Sequence, residues 1–239
     1  MNSINSPLAA SRSIGRRWAA VLYLLCVTPF AAHAKCTDAP AAGVDWSGCE
    51  KNRVIMRKAE LQGARLGGAT MDGSDLAQAN LSGADLTRAS VERARFSGAN
   101  LERAKLVRLL AYRTNFSGAR LVGADLTKAE LARANLASTD LSGANMEKAE
   151  FQRATLEGAT LTGANLTGAD LARTNLAKAK LGGARMAQAR LFLTRLEGVD
   201  LSGALGLSQS QLDSACGNSQ TRLPTGLKAP PSWPCPAEP

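Results

Sequence analysis

The chain has 239 residues and a formal net charge of +9, with 4% aromatic residues and 22 glycines. One sizeable domain fits that length, but so few large rings cannot fill a conventional globular core. A single histidine leaves little for imidazole acid–base or zinc chemistry.

Residues 1–34 read as a secretory signal peptide. Arg12, Arg16 and Arg17 precede the apolar stretch WAAVLYLLCVTPFAA, which closes on Ala32-His33-Ala34 with cleavage expected before Lys35. The run is short for a membrane span, Leu25 before Cys26 is large for a lipoprotein site, and Arg16-Arg17 lacks most of a twin-arginine signal. The expected location is therefore the periplasm or outside the cell, with no stable membrane span after cleavage. The mature chain would lose three arginines, Cys26 and His33, leaving a net +6 and four cysteines, Cys36, Cys49, Cys216 and Cys235. An even set in an exported chain reads as two disulfides.

Residues 35–53 form a cap loop containing Cys36, Trp46 and Cys49. From Met56 to Leu201 every fifth residue is then apolar, thirty consecutive positions without an insertion, and two residues before each of them 22 of the thirty are Ala. Five matches neither the helical period near 3.6 nor the strand period of 2. A large and a small residue pointing inward in each pentad describe a chain that turns a corner every five residues, so that four corners close a coil of twenty. Neighbouring coils would bury together a core that none could bury alone.

The recurring A-[DN]-L-x-x, as in ADLTR (84–88), ANLTG (164–168) and ADLAR (169–173), resembles the pentapeptide-repeat proteins. The resemblance covers about 150 residues and implies an all-β fold: a right-handed, four-sided parallel β-helix over 54–205, a solenoid about 36 Å long at a strand spacing of ~4.8 Å. Both ends of such a rod are open sheet edges and need caps. In RLLAYRT the small position holds Leu109 and the large one Ala111, a volume-conserving exchange expected to repack a coil without breaking it.

Four-sidedness has support beyond the resemblance. The second residue after each central one is Gly at 14 of thirty positions and Lys or Arg at 12. Sorted by twenty, one column is Gly63, Gly83, Arg103, Gly123, Gly143, Gly163, Gly183, Gly203, and another is Gly73, Arg93, Arg113, Arg133, Arg153, Arg173, Leu193. A third holds Arg88, Arg108, Lys128 and Lys148. The rod thus has a glycine-rich side and a basic side. Two readings of the basic side stand together: a solvated face interleaved with Glu92, Glu130, Glu150 and Asp170, or a docking strip for an acidic partner. Val107, Leu110 and Tyr112 face outward beside Arg108 and Arg113, unless the Leu109/Ala111 exchange tilts them inward; Tyr and Arg are common hot-spot residues.

Residues 206–239 form the second cap. LSQSQLDSACG reads as a short helix with Ser208 as N-cap, Gln211 completing a capping box and Gly217 ending it, seated on Phe192 and Leu193. The tail after it is too proline-rich for regular structure. Four cysteines permit three connectivities, but the rod ends lie too far apart for a bridge, so Cys36–Cys49 and Cys216–Cys235 are expected and a four-cysteine metal site is not.

Catalysis and cofactors are not expected, since carboxylates on solvated repeat positions have little to raise their pKa values and no phosphate-cradling loop is present. Some pentapeptide-repeat proteins are acidic, DNA-like rods that engage type II topoisomerases; 21 Lys and Arg against 15 Asp and Glu between 54 and 204 oppose that role here. Nucleic acid is not expected as a ligand either, because aromatic stacking groups are scarce and the expected compartment holds little of it. What remains is a non-enzymatic exported scaffold or binding rod, its partner an unidentified protein or an envelope polyanion, with a homodimer through the glycine-rich side as the alternative association.

Overall fold

The computed structural model describes residues 36–235, and the expected signal peptide lies outside them. Parallel bridges join each laddered residue to the one twenty positions on, without interruption from Asp45↔Arg65 to Arg185↔Leu205. The coil of twenty is therefore real, and the chain forms a four-sided parallel β-helix. All thirty central residues from Met56 to Leu201 are buried, most of them completely. Leu109 and Ala111 are both fully enclosed, so the exchanged pair fills the same space from opposite positions. Phe96 and Phe116 stack within one column, with ring centroids 5.2 Å apart.

Pentad 81–85 shows how the backbone is satisfied. The Leu81, Gly83 and Asp85 amides donate to neighbouring coils at 2.7–2.9 Å, and the Ala84 amide closes the turn on Leu81 at 3.0 Å. The Ser82 amide is left over, and Asn80 Oδ1 accepts it at 3.2 Å. The same bond recurs from Thr87 to Asp85, Glu102 to Asn100, Ser117 to Asn115 and Ala172 to Asp170. A side-chain acceptor just before the central Leu thus pairs the one amide per pentad that the coil cannot, which gives Asp or Asn at that place a physical cause. Where Ser or Thr replaces the small Ala, its buried hydroxyl donates to the carbonyl 23 residues earlier: Thr114 to Val91, Thr139 to Phe116, Thr174 to Phe151 and Thr194 to Leu171.

The ladder runs beyond 54–205 at both ends. Asp45 and Glu50 bridge Arg65 and Thr70, Gly43 and Gly48 turn corners with positive φ, and Trp46 is buried in the central register with Lys51 Nζ 4.1 Å from its ring. Trp46 therefore fills the first coil from inside. Cys36 and Cys49 are disulfide-bonded there, as are Cys216 and Cys235 at the other end, with Cα–Cα distances of 5.4 and 5.3 Å.

Helix α1 spans Gln209–Asp213, with the Ser208–Gln211 capping box formed. It ends on Ser214, earlier than the sequence suggests. Gly217 makes room for a ring instead of ending the helix: a Cβ there would collide with Trp233, so glycine is what lets that ring lie flat. Trp233 Nε1 donates to the Ala215 carbonyl at 2.7 Å. Phe192 does not seat α1; it is 50% exposed, and the contact is made by backbone, Leu193 N–H to the Ser214 carbonyl at 2.7 Å. The tail is not wholly irregular either, since Cys216 and Arg222 pair with Arg195 and Asp200 as a last partial coil.

Candidate functional site

The corner of each pentad, the second residue after the central one, is left-handed. Gly63, Gly83 and Gly143 have φ of 63–66°, and Arg88, Arg93, Arg108, Arg113, Lys128, Arg133, Lys148, Arg153 and Arg173 are held at 55–59°. Glycine adopts this conformation freely, whereas a side chain costs ~1–2 kcal/mol there. One side of the square coil is edged by cations at both corners: Arg88, Arg108, Lys128 and Lys148 along one edge, Arg93, Arg113, Arg133, Arg153 and Arg173 along the other. Between them runs a midline of Ser90, Leu110, Glu130, Glu150 and Asp170, bridged coil to coil.

Counted from corner to corner between residues 54 and 204, this side carries ten cations against five acids, +5 of the rod's +6. The other three sides are nearly neutral. Their charges also pair: Arg57 with Asp75, Arg65 with Asp45, Arg120 with Glu102, Lys178 with Glu157. Of the nine corner cations only Lys148 has an ion-pair partner among the described residues, Glu147 at 3.5 Å. The acids do lie between the cationic edges but form no ion pair with the column of arginines: Asp170 pairs with Arg190 and accepts from Gln152, while Glu92, Glu130 and Glu150 form no ion pair among the described residues.

Arg88, Arg108, Lys128 and Lys148 face Leu110, Glu130 and Glu150 across a shallow groove of about 600 Å³. Tyr112 is half-buried, its ring 5.2 Å from the Arg113 guanidinium carbon, and Leu110 remains 36% exposed. Repacking at Leu109 and Ala111 thus leaves Tyr112 and Leu110 at the surface as an apolar island among Arg88, Arg93, Arg108 and Arg113. The left-handed strain is the feature that residue chemistry alone misses; its signal is the shared column, since a place filled by either Gly or Arg has the backbone that Gly prefers.

Carboxyls held below their ordinary pKa lie on the other sides. In Asp45 and Asp200 the hydroxyl and amide of Ser47 and Ser202 do this, helped by Arg65 and Arg222. In Asp75 and Asp85 partial burial pushes the other way and is outweighed, by the Ala77 amide and Arg57 in one and by Thr87 and Lys105 in the other. These groups maintain turns and are not poised for proton transfer at neutral pH. Among the described residues no helix is long and apolar enough to cross a membrane, and two disulfides suit an oxidising compartment outside the cytoplasm.

No curated protein matches the chain. Among solved structures it is similar to HetL, a pentapeptide repeat protein involved in heterocyst differentiation regulation in the cyanobacterium Nostoc sp. strain PCC 7120, with 28% identity over 74% of this chain and 85% of that one and a TM-score of 0.31. A pentapeptide repeat protein of the Arabidopsis thaliana thylakoid lumen shares 28% identity over 43% of this chain and 77% of its own, at a TM-score of 0.38. Full-length QnrB1, a plasmid-mediated fluoroquinolone resistance protein, shares 14% over 76% and 91%, at 0.42. The family model for pentapeptide repeats matches in contiguous segments that together cover residues 74–205. With that match over more than half its length, the chain belongs to the pentapeptide-repeat family, whose fold is the right-handed β-helix.

Proposed function

We propose that the protein is exported by residues 1–34 and acts without catalysis, as a rigid rod that offers one side to an acidic partner in the cell envelope. The observation that carries this reading is the segregation of charge. Among the described residues eight of the nine corner cations on one side are unpaired, and each sits where glycine would be less strained. The strain itself is shared by corners on other sides, as at Lys58, Gln78, Arg103 and Lys178, so it is the unpaired charge that singles out this side. A DNA-mimicking role is opposed by the sign of the same charge.

Fractionation should place the processed protein outside the cytoplasm with Lys35 as its first residue. A photo-crosslinking amino acid at Tyr112 should then yield an envelope adduct, and one at Ser142, on the glycine-rich side, should not. Adducts from position 142 alone would move the binding face to that side, and a full-length cytoplasmic protein would remove the export reading.

A further inference from the structure

We infer that the cationic side binds a linear carboxylated polysaccharide lying along the rod axis. This rests on the reading of that side as the binding face and adds the chemistry of what it holds. Three features of the side select this ligand together.

Spacing is the first. Cations recur once per coil along both edges, ~4.8 Å apart if the coils stack at the usual strand spacing. An extended acidic peptide presents same-face carboxylates every ~6.7 Å and falls out of step with such a column within a few coils. A sugar ring with its linking oxygen advances a chain by a length of the same order as the ~4.8 Å coil rise, so a uronate polymer offers about one carboxylate per coil over a few coils. Whether successive carboxylates leave on the same edge or on alternate edges, each meets an arginine or lysine. Arginine binds a carboxylate through two parallel N–H donors, which suits the five-arginine edge.

The midline is the second. Glu130, Glu150 and Asp170 lie between the two cationic edges. They repel a purely anionic ligand that covers the whole side. Sugar hydroxyls can donate to these carboxylates while the uronate groups reach the edges. A polysaccharide therefore satisfies both signs of charge, which a polyphosphate does not, while a polyglutamate has only its backbone N–H groups to offer the midline.

Apolar surface is the third. Leu110 and Tyr112 reach the surface between Arg88, Arg108, Arg93 and Arg113, where the midline carries Ser90 and Leu110 in place of an acid. The C–H face of a sugar ring packs on such a platform. The tightest contact is expected at these two coils.

The experiment is a titration of the purified protein with polygalacturonate fragments and, at matched charge, with polyglutamate, at low and moderate salt. Corner arginines are replaced by glycine (Arg93→Gly, Arg113→Gly, Arg133→Gly), which relieves left-handed strain and so preserves the fold; a melting curve checks this. Lys58→Gly, Arg103→Gly and Lys178→Gly remove as much charge from left-handed corners elsewhere. Polygalacturonate should bind better than polyglutamate, weaken with salt, lose about tenfold (1.4 kcal/mol) in the first variant and be unchanged in the second. Glu130→Ala with Glu150→Ala should weaken polygalacturonate and strengthen polyglutamate. Equal binding of the two polymers, or stronger polygalacturonate binding without the glutamates, would overturn the ligand class while leaving the binding face. Equal loss in both glycine variants would remove the face itself.

Discussion

The amide after each central residue has no backbone acceptor, and at Asp85 the carboxylate takes it from Thr87 at 2.9 Å. Asp85→Ala should cost about 1 kcal/mol, read as a shift in the denaturant midpoint, whereas Asp85→Asn keeps the acceptor and should be nearly neutral at pH 7. The same bond makes stability depend on pH. Folding holds the Asp45, Asp75, Asp85 and Asp200 carboxyls below their ordinary values, so their contribution is complete above the unfolded pKa near ~4 and is lost as pH falls through the folded values. Melting temperature should be flat from neutral pH down to about 5 and drop below about 4; a protein losing stability between pH 7 and 5 would contradict this. Leu109 and Ala111 offer a second test on single residues. Leu109→Ala alone should cost ~2–5 kcal/mol and Ala111→Leu alone ~1–3. The double exchange should cost much less than their sum, because total volume is restored.

At the level of elements, the ends decide whether the coil is a closed object. Where the chain leaves the ladder for α1, the Ala189 carbonyl loses its next rung. Gln211 Nε2 replaces it, donating to Met186 and Ala189 at 2.8 Å each while Oε1 accepts from the Ser208 backbone. One side chain thus caps the helix and the sheet edge together. Gln211→Ala should destabilise the protein by about 2 kcal/mol, more than an exposed helix cap alone is worth. Gly217→Ala forces Trp233 off its seat, so tryptophan emission should shift to the red with the coil core intact; an unchanged spectrum would show that the ring is held by something other than this contact.

Taken whole, the rod has one core made of thirty repeated decisions, and a charge in it has nowhere to go. Leu166→Asp places a carboxylate at a fully buried position and should abolish the folded circular-dichroism spectrum. Nearly all of this core was legible in the sequence, because a strict period leaves one geometry that buries a large and a small residue in every pentad. The ends were less legible for the same reason. Phe192 looked like a seat for α1 by its type and place, but whether an outward ring is covered depends on where the departing chain goes, and no repeat encodes that. Gly217 resembled a helix terminator, and only the distant Trp233 reveals why it is glycine. The cationic edges could be read as columns, while the near-absence of partners could not: Glu92 and Glu130 are near in sequence, yet among the described residues the one ion pair made by a corner cation of this side is Lys148 with Glu147.

The unpartnered cations are the ground on which this side is proposed as the binding face, and capture from envelope extract tests that proposal most directly. The wild type should be compared with the Arg93, Arg113 and Arg133 glycine variant and with the Lys58, Arg103 and Lys178 glycine variant, all shown to be folded. A salt-sensitive partner should be held by the wild type and the second variant and lost from the first. The same partner held equally by all three, in low and moderate salt, would make the cationic side a solvated surface with no role in binding.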